Sequence, residues 1–275
     1  YANSPQLAAT LLEEGKASPA DIFLAQDPGA LSVVQDMFRT IPDDTLNKVS
    51  QWARSPGDKW IGISGRARVV VYNSERVTKA DLPADLWDFI YPQWEGRIGF
   101  PPTNASFQTM ITAMRHLWGE GKTLRWLKGI HANNPRTYSN NTATVEAVAN
   151  GEIDIGFVNH YYLLRLSSEK SGSFPASNYH PRAGGPAALI MVTGIGILST
   201  SNNQDAAEEF LAFMVSRAAQ EYFTTQTFEY PVIDGVDIDP LLTPLSEIAA
   251  PTISFQDLAD LEGTQDMLRE VGILP

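Results

Sequence analysis

The run Gly156-Phe157-Val158-Asn159-His160-Tyr161-Tyr162 sets two phenols side by side, directly after an amide and an imidazole. Phenolate oxygens are hard donors suited to a hard cation, and iron(III) fits them. Residues along a strand alternate between faces, but where a strand ends the chain turns, and two consecutive tyrosines can then reach one ligand. Taken alone, the pair has a competing reading, in which one tyrosine packs in the core and the other lies at the surface. Alternation puts His160 on the opposite face from Tyr161, which reads it as solvated, or as standing behind the ligands rather than among them.

Other polar groups recur at element ends. Asn141-Thr142-Ala143-Thr144 precedes a helical pattern with Val145 and Val148 inward, so Asn141 or Thr142 is expected as its N-cap. The N–H groups at such a start, together with the Asn141 amide, are equally able to hold an anion. Thr103-Asn104-Ala105-Ser106, ahead of a helix expected over 107–118, offers the same geometry a second time. Arg66 and Arg68 share one face of a strand, where they suit either a bidentate anion contact or an inter-lobe salt bridge. Gln26 and Asp27 follow a short strand over 20–25, at the edge where open α/β sheets bind ligands.

Several chemistries lack their motifs. The four histidines show no His-Glu-x-x-His spacing, Gly194-x-Gly196 lacks the rest of a dinucleotide fingerprint, and no Gly-x-Ser-x-Gly or Walker loop occurs. No pair of acids is specifically spaced for glycoside hydrolysis. With no cysteine in the chain, disulfides, thiolate metal sites and cysteine nucleophiles are excluded, so a metal must be held by oxygen or nitrogen. A net charge of −12 argues against nucleic acid and anionic membranes as partners and permits a cationic cargo.

At 275 residues, with 43% hydrophobic and 19% charged, the chain is long enough for two lobes. No apolar run reaches the ~18 residues of a transmembrane helix. The start at Tyr1, without Met or signal peptide, reads as a processed or trimmed product. Helical and strand signals alternate, favouring α/β architecture. Two long apolar stretches, 60–72 (with a polar interruption) and 189–198, suit segments that cross between lobes, and the elements between them suit an inserted lobe. Residues 204–225 read as one helical region with Ala207, Phe210, Leu211, Met214 and Ala218 on the inward face.

In order along the chain, Ser18-Pro19-Ala20-Asp21-Ile22-Phe23, Ser64-Gly65-Arg66-Ala67-Arg68-Val69-Val70-Val71-Tyr72, Trp94-Glu95-Gly96-Arg97-Ile98-Gly99, Trp126-Leu127-Lys128-Gly129, Ala147-Val148-Ala149-Asn150-Gly151-Glu152 and Val158-Asn159-His160-Tyr161-Tyr162 resemble the periplasmic ferric-ion-binding proteins of ABC transporters. The resemblance runs almost end to end. It implies an α/β, two-lobed type II periplasmic binding fold with two hinge strands and a ligand cleft between the lobes. The N-terminal lobe would be residues 1–68 and 192–233, and the C-terminal lobe 69–191 and 234–275. The resemblance begins partway into the first lobe, so that lobe is expected to be incomplete, without the family's first strand and helix.

The resemblance further implies a non-enzymatic receptor, periplasmic or anchored outside the membrane, that carries Fe(III) as cargo to an ABC permease and works as a monomer. Tyr161 and Tyr162 match the paired iron ligands. Asn159 and Asn141 match residues that hold a synergistic anion, carbonate or phosphate-like, and Asn104, Ala105 and Ser106 match the helix start that binds it in some members. Two departures stand out. Gln26, followed by Asp27, occupies the place of a glutamate ligand, and Phe107 lies in a segment where other members carry a third tyrosine. The same fold binding a phosphorylated compound, polyamine or sugar without metal is the alternative, and a secreted carboxylate hydrolase is a weaker one.

Overall fold

The computed structural model describes all 275 residues except Tyr1, Asn3 and Ser171. In chain order the principal elements are α1 (Ser4–Glu14), β1 (Ile22–Ala25), α2 (Pro28–Val33), α3 (Asp43–Leu46), β2 (Ile61–Asn73), β3 (Ile98–Phe100), α4 (Ala105–Trp118) and α5 (Glu120–Ala132). They continue with β4 (Arg136–Thr137), α6 (Asn141–Ala149), β5 (Ile155–Asn159), α7 (Tyr161–Glu169), β6 (Ala176–Tyr179), β7 (Ile190–Ile197), α8 (Gln204–Met214), α9 (Arg217–Gln226) and α10 (Leu261–Glu270). The α/β reading holds.

The chain divides into two compact units. Unit 1 comprises Tyr1–Arg66, Met191–Leu242 and Ser254–Ala259, and unit 2 comprises Ala67–Ile190, Thr243–Ile253 and Asp260–Pro275. Strand β2 runs unbroken through the polar residues Ser64, Arg66 and Arg68; it is buried along its whole length and passes from unit 1 to unit 2 between Arg66 and Ala67.

In unit 1, β1 pairs antiparallel with β7, Phe23 opposite Gly196 and Ala25 opposite Gly194. Those two glycines have a packing explanation. A Cβ on Gly196 would lie 2.7 Å from the Phe38 ring, and one on Gly194 would lie 2.5 Å from Leu31 Cδ1. Asp27 caps α2, its carboxylate accepting from the N–H groups of Gly29 and Ala30, a contact worth about 0.5–2 kcal/mol. The helical region expected over 204–225 is broken at Val215–Ser216, where the Ser216 hydroxyl caps α9. Ala207 and Leu211 are buried as the periodicity predicts, but Phe210 is 43% exposed, and Phe213 and Tyr222 are more so. Beyond the break the buried stripe is shifted by one residue, with Ala219 buried and the expected Ala218 exposed.

Unit 2 is layered around β2 and β5. The two strands run antiparallel with Arg68 opposite Asn159 and Val70 opposite Phe157, and β5 is parallel to β3, which is parallel to β4. Alternation sorts the side chains. Val70, Tyr72, Ile155 and Phe157 face one core with Met110, Ile111, Trp126, Leu127 and Leu268, from α4, α5 and α10. Val69, Val71 and Val158 face a second core with Val145 and Val148 of α6 and Leu163 of α7. By the same parity Arg68 and Asn159 lie on the α4 side, at the end of the ladder. Phe157 anchors the first core, with ring centroids 5.6 Å from Phe89, 5.7 Å from Trp126 and 6.4 Å from Phe100. Phe157→Ala is expected to lower stability by about 3–5 kcal/mol. Urea unfolding followed by tryptophan fluorescence checks this, and a loss below about 1 kcal/mol would mean the cluster repacks around the gap.

Candidate functional site

Unit 2 collects five polar residues into one buried network. Arg68, wholly buried on β2, donates from Nη1 to Asn159 Oδ1 at 3.0 Å and to Ser106 Oγ at 3.3 Å. Ser106 Oγ donates to Asn104 Oδ1 at 2.6 Å, and the Ser106 N–H donates to the same oxygen at 3.1 Å, which makes Asn104 the N-cap of α4. A third donor reaches that oxygen from another helix, Asn141 Nδ2 at 3.3 Å. The first turns of α4 and α6 are thereby tied together, and both helix starts carry partial positive charge.

Asn141 is not the cap of its helix. Asn140 is, with an extended backbone and its Oδ1 accepting from the Ala143 N–H at 2.9 Å. This one-residue shift leaves Asn141 at the first helical position, fully buried, with its amide turned toward Asn104. The hydrogen bonds fix both amide orientations: Asn159 presents its oxygen to Arg68, and Asn141 presents its nitrogen to Asn104. Each then keeps one buried polar atom with no partner in the protein, a donor at Asn159 Nδ2 and an acceptor at Asn141 Oδ1. A buried group left so costs about 1–3 kcal/mol.

The tyrosines follow at once. Strand β5 ends at Asn159, His160 is already helical, and Tyr161 and Tyr162 form the first turn of α7 rather than the end of the strand. Their rings stack with centroids 4.3 Å apart, Tyr161 nearly buried and Tyr162 half-buried. His160 is not solvated. It is 2% exposed and stands edge-on to Tyr161 at 5.7 Å. Phe107 stacks on Phe100 at 4.7 Å and belongs to the core.

Of the other expected residues, Ala105 lies at the α4 start beside Asn104 and Ser106, and Arg66, Gln26 and Asp27 belong to unit 1. Arg66 belongs to unit 1, where its Nη2 donates to the Val192 carbonyl at 3.3 Å, so Arg68 is the arginine of this network. Gln26 and Asp27 also belong to unit 1, Gln26 exposed and Asp27 committed as the cap of α2. Among the described residues no group of three or more His, Cys, Asp and Glu is placed to hold a metal. Sequence reasoning missed Asn178, whose Nδ2 donates to the His160 carbonyl at 2.8 Å. That contact depends on β6 folding beside β2, which no local pattern announces.

Known proteins resemble this chain in sequence and in fold. Residues 17–256 match the bacterial extracellular solute-binding protein family. The chain is 32% identical over 281 residues to the major ferric iron-binding protein of Neisseria meningitidis, covering 99% of this chain and 83% of that one. It is 34% identical over 276 residues to the Fe(3+)-binding periplasmic protein of Serratia marcescens, covering 98% and 80%. Iron-bound HitA from Pseudomonas aeruginosa superposes with a TM-score of 0.93 at 33% identity, covering 98% of this chain and 89% of that structure. The chain therefore belongs to the bacterial extracellular solute-binding proteins, a family of receptors and not of enzymes.

Proposed function

We propose that this chain is the extracytoplasmic receptor of an iron(III) ABC transporter. It binds Fe(III) through Tyr161 and Tyr162 together with a synergistic anion and, as a monomer in the periplasm or tethered outside the membrane, delivers it to the permease. The observation that carries the reading is the placement of two stacked phenols two and three residues beyond Asn159, which is bonded to Arg68 in the Arg68–Ser106–Asn104–Asn141 network. The ferric-binding names of its relatives support it.

Charge accounts for the division of labour. Two phenolates leave a ferric ion with one positive charge, which an anion neutralises while filling coordination positions. Residues suited to hold that anion are Asn159, through its unpartnered donor, Arg68, and the N–H groups at the starts of α4 and α6. The unpartnered acceptor of Asn141 favours an anion that carries a proton, such as bicarbonate or hydrogen phosphate.

Adding Fe(III) and bicarbonate to the metal-free protein is expected to produce a visible tyrosinate-to-iron band, which Tyr161→Phe combined with Tyr162→Phe abolishes. A colourless wild type would favour a solute bound without metal. Affinity should fall on acidification, because a phenol holds its proton up to about pH 10 and each coordinated tyrosine gives one up. Chelator competition below neutrality should show iron affinity changing by about two decades per pH unit, and by about one in either single variant. A pH-independent affinity would contradict phenolate ligation. Asn159→Asp keeps an oxygen for Arg68 but replaces the donor with a negative acceptor. The anion concentration for half-maximal colour should then rise about ten- to a hundredfold, and an unchanged requirement would remove Asn159 from the anion site.

A further inference from the structure

The end of β5 contains an irregularity that the ferric reading does not use. In an antiparallel ladder, hydrogen-bonded residue pairs exchange two N–H···O bonds. The register that sets Arg68 opposite Asn159 sets Ala67 opposite His160, and half of that exchange is present, the His160 N–H donating to the Ala67 carbonyl at 3.0 Å. The reciprocal bond is replaced. His160 has φ −58° and ψ −40°, already helical, so its carbonyl is turned out of the ladder. The Ala67 N–H donates instead to His160 Nδ1 at 3.1 Å, and the displaced carbonyl accepts from Asn178 Nδ2 at 2.8 Å.

We propose that His160 is a positioning residue for the tyrosine pair: its imidazole Nδ1 stands in for the ladder carbonyl, which lets the strand become a helix within one residue. The proposal rests on the ferric reading for its consequence but not for its geometry. Without an acceptor at that point, the Ala67 N–H would be buried and unsatisfied unless the His160 peptide stayed extended. An extended His160 would carry the strand on, and strand alternation would then send Tyr161 and Tyr162 to opposite faces. The helical turn keeps the two rings stacked 4.3 Å apart. Asn178 completes the device by satisfying the carbonyl that the turn exposes. A histidine serving only as core filler would do none of this, since any side chain of similar volume would substitute for it.

Two substitutions separate the possibilities. Asn has an oxygen close to the place of the imidazole Nδ1, whereas Leu fills space without an acceptor. In the metal-free protein, exchange of the Ala67 amide, followed by NMR, should be at least tenfold faster in His160→Leu than in wild type and near wild type in His160→Asn. With Fe(III) and bicarbonate, His160→Leu should show a shifted, weaker tyrosinate band and at least tenfold faster iron loss to a chelator, and His160→Asn should restore both. Equal behaviour of the Leu and Asn variants at Ala67 would overturn the proposal. If the wild type binds no iron, the ferric reading fails on its own, and the exchange measurement still decides the role of His160. If His160→Leu does not fold, His160→Gln, whose acceptor sits one bond too far, replaces it and should show the same fast exchange.

Discussion

The buried guanidinium of Arg68 is the constraint on which the site depends. Removing a charged side chain from water costs several kcal/mol unless hydrogen bonds compensate. Arg68 lies inside unit 2 because strand parity turns it toward α4, and at that depth it donates to Asn159 and Ser106. These bonds settle more than the arginine's own position. They fix which way the Asn159 amide points, they hold the first turn of α4 against the end of β5, and through Asn104 they reach the start of α6. A cationic side chain and two helix starts thus share one network, which is electrostatically suited to an anion.

The same strand ending governs the tyrosines. Strand β5 stops where His160 turns helical, and two phenols that strand geometry would separate become neighbours in the first turn of α7. Iron(III) favours hard, anionic oxygen, and in a chain without cysteine the two phenols are donors of that kind. Phenols and anion-binding groups then have complementary tasks. In the proposed site the tyrosines would supply two negative charges, and the network beside them suits a group that supplies the rest.

Much of this was legible because it is local. The Asn-His-Tyr-Tyr run, the two helix starts and the alternation of β2 are written within a few residues each, and the ordered motifs that resemble ferric-binding proteins agree with the family to which the chain belongs. What escaped was set by contacts distant in sequence. Arg66 and Arg68 share a face by periodicity, and only the fold gives Arg66 the Val192 carbonyl and Arg68 the Asn159 amide. The cap is Asn140 and not the expected Asn141 or Thr142, and Asn141 instead reaches Asn104 across 37 residues. Ala218 was assigned inward by a period that ran unbroken through Ser216, whereas the chain stops α8 before it and starts α9 afresh, with Ala219 buried and Ala218 exposed. Between the two readings of His160, solvated or behind the ligands, the sequence could not choose, since its partner, the Ala67 N–H, lies 93 residues away.

In the proposed site one ferric ion is shared by the Tyr161 and Tyr162 oxygens and an anion held beside Asn159. A crystal structure of the iron-loaded protein, with anomalous data at the iron edge, tests it most directly. The expected map has a single iron peak at bonding distance from both phenol oxygens, with an oxyanion between the metal and Asn159 Nδ2. An iron peak away from the tyrosines, or a metal-free organic solute in their place, would contradict it.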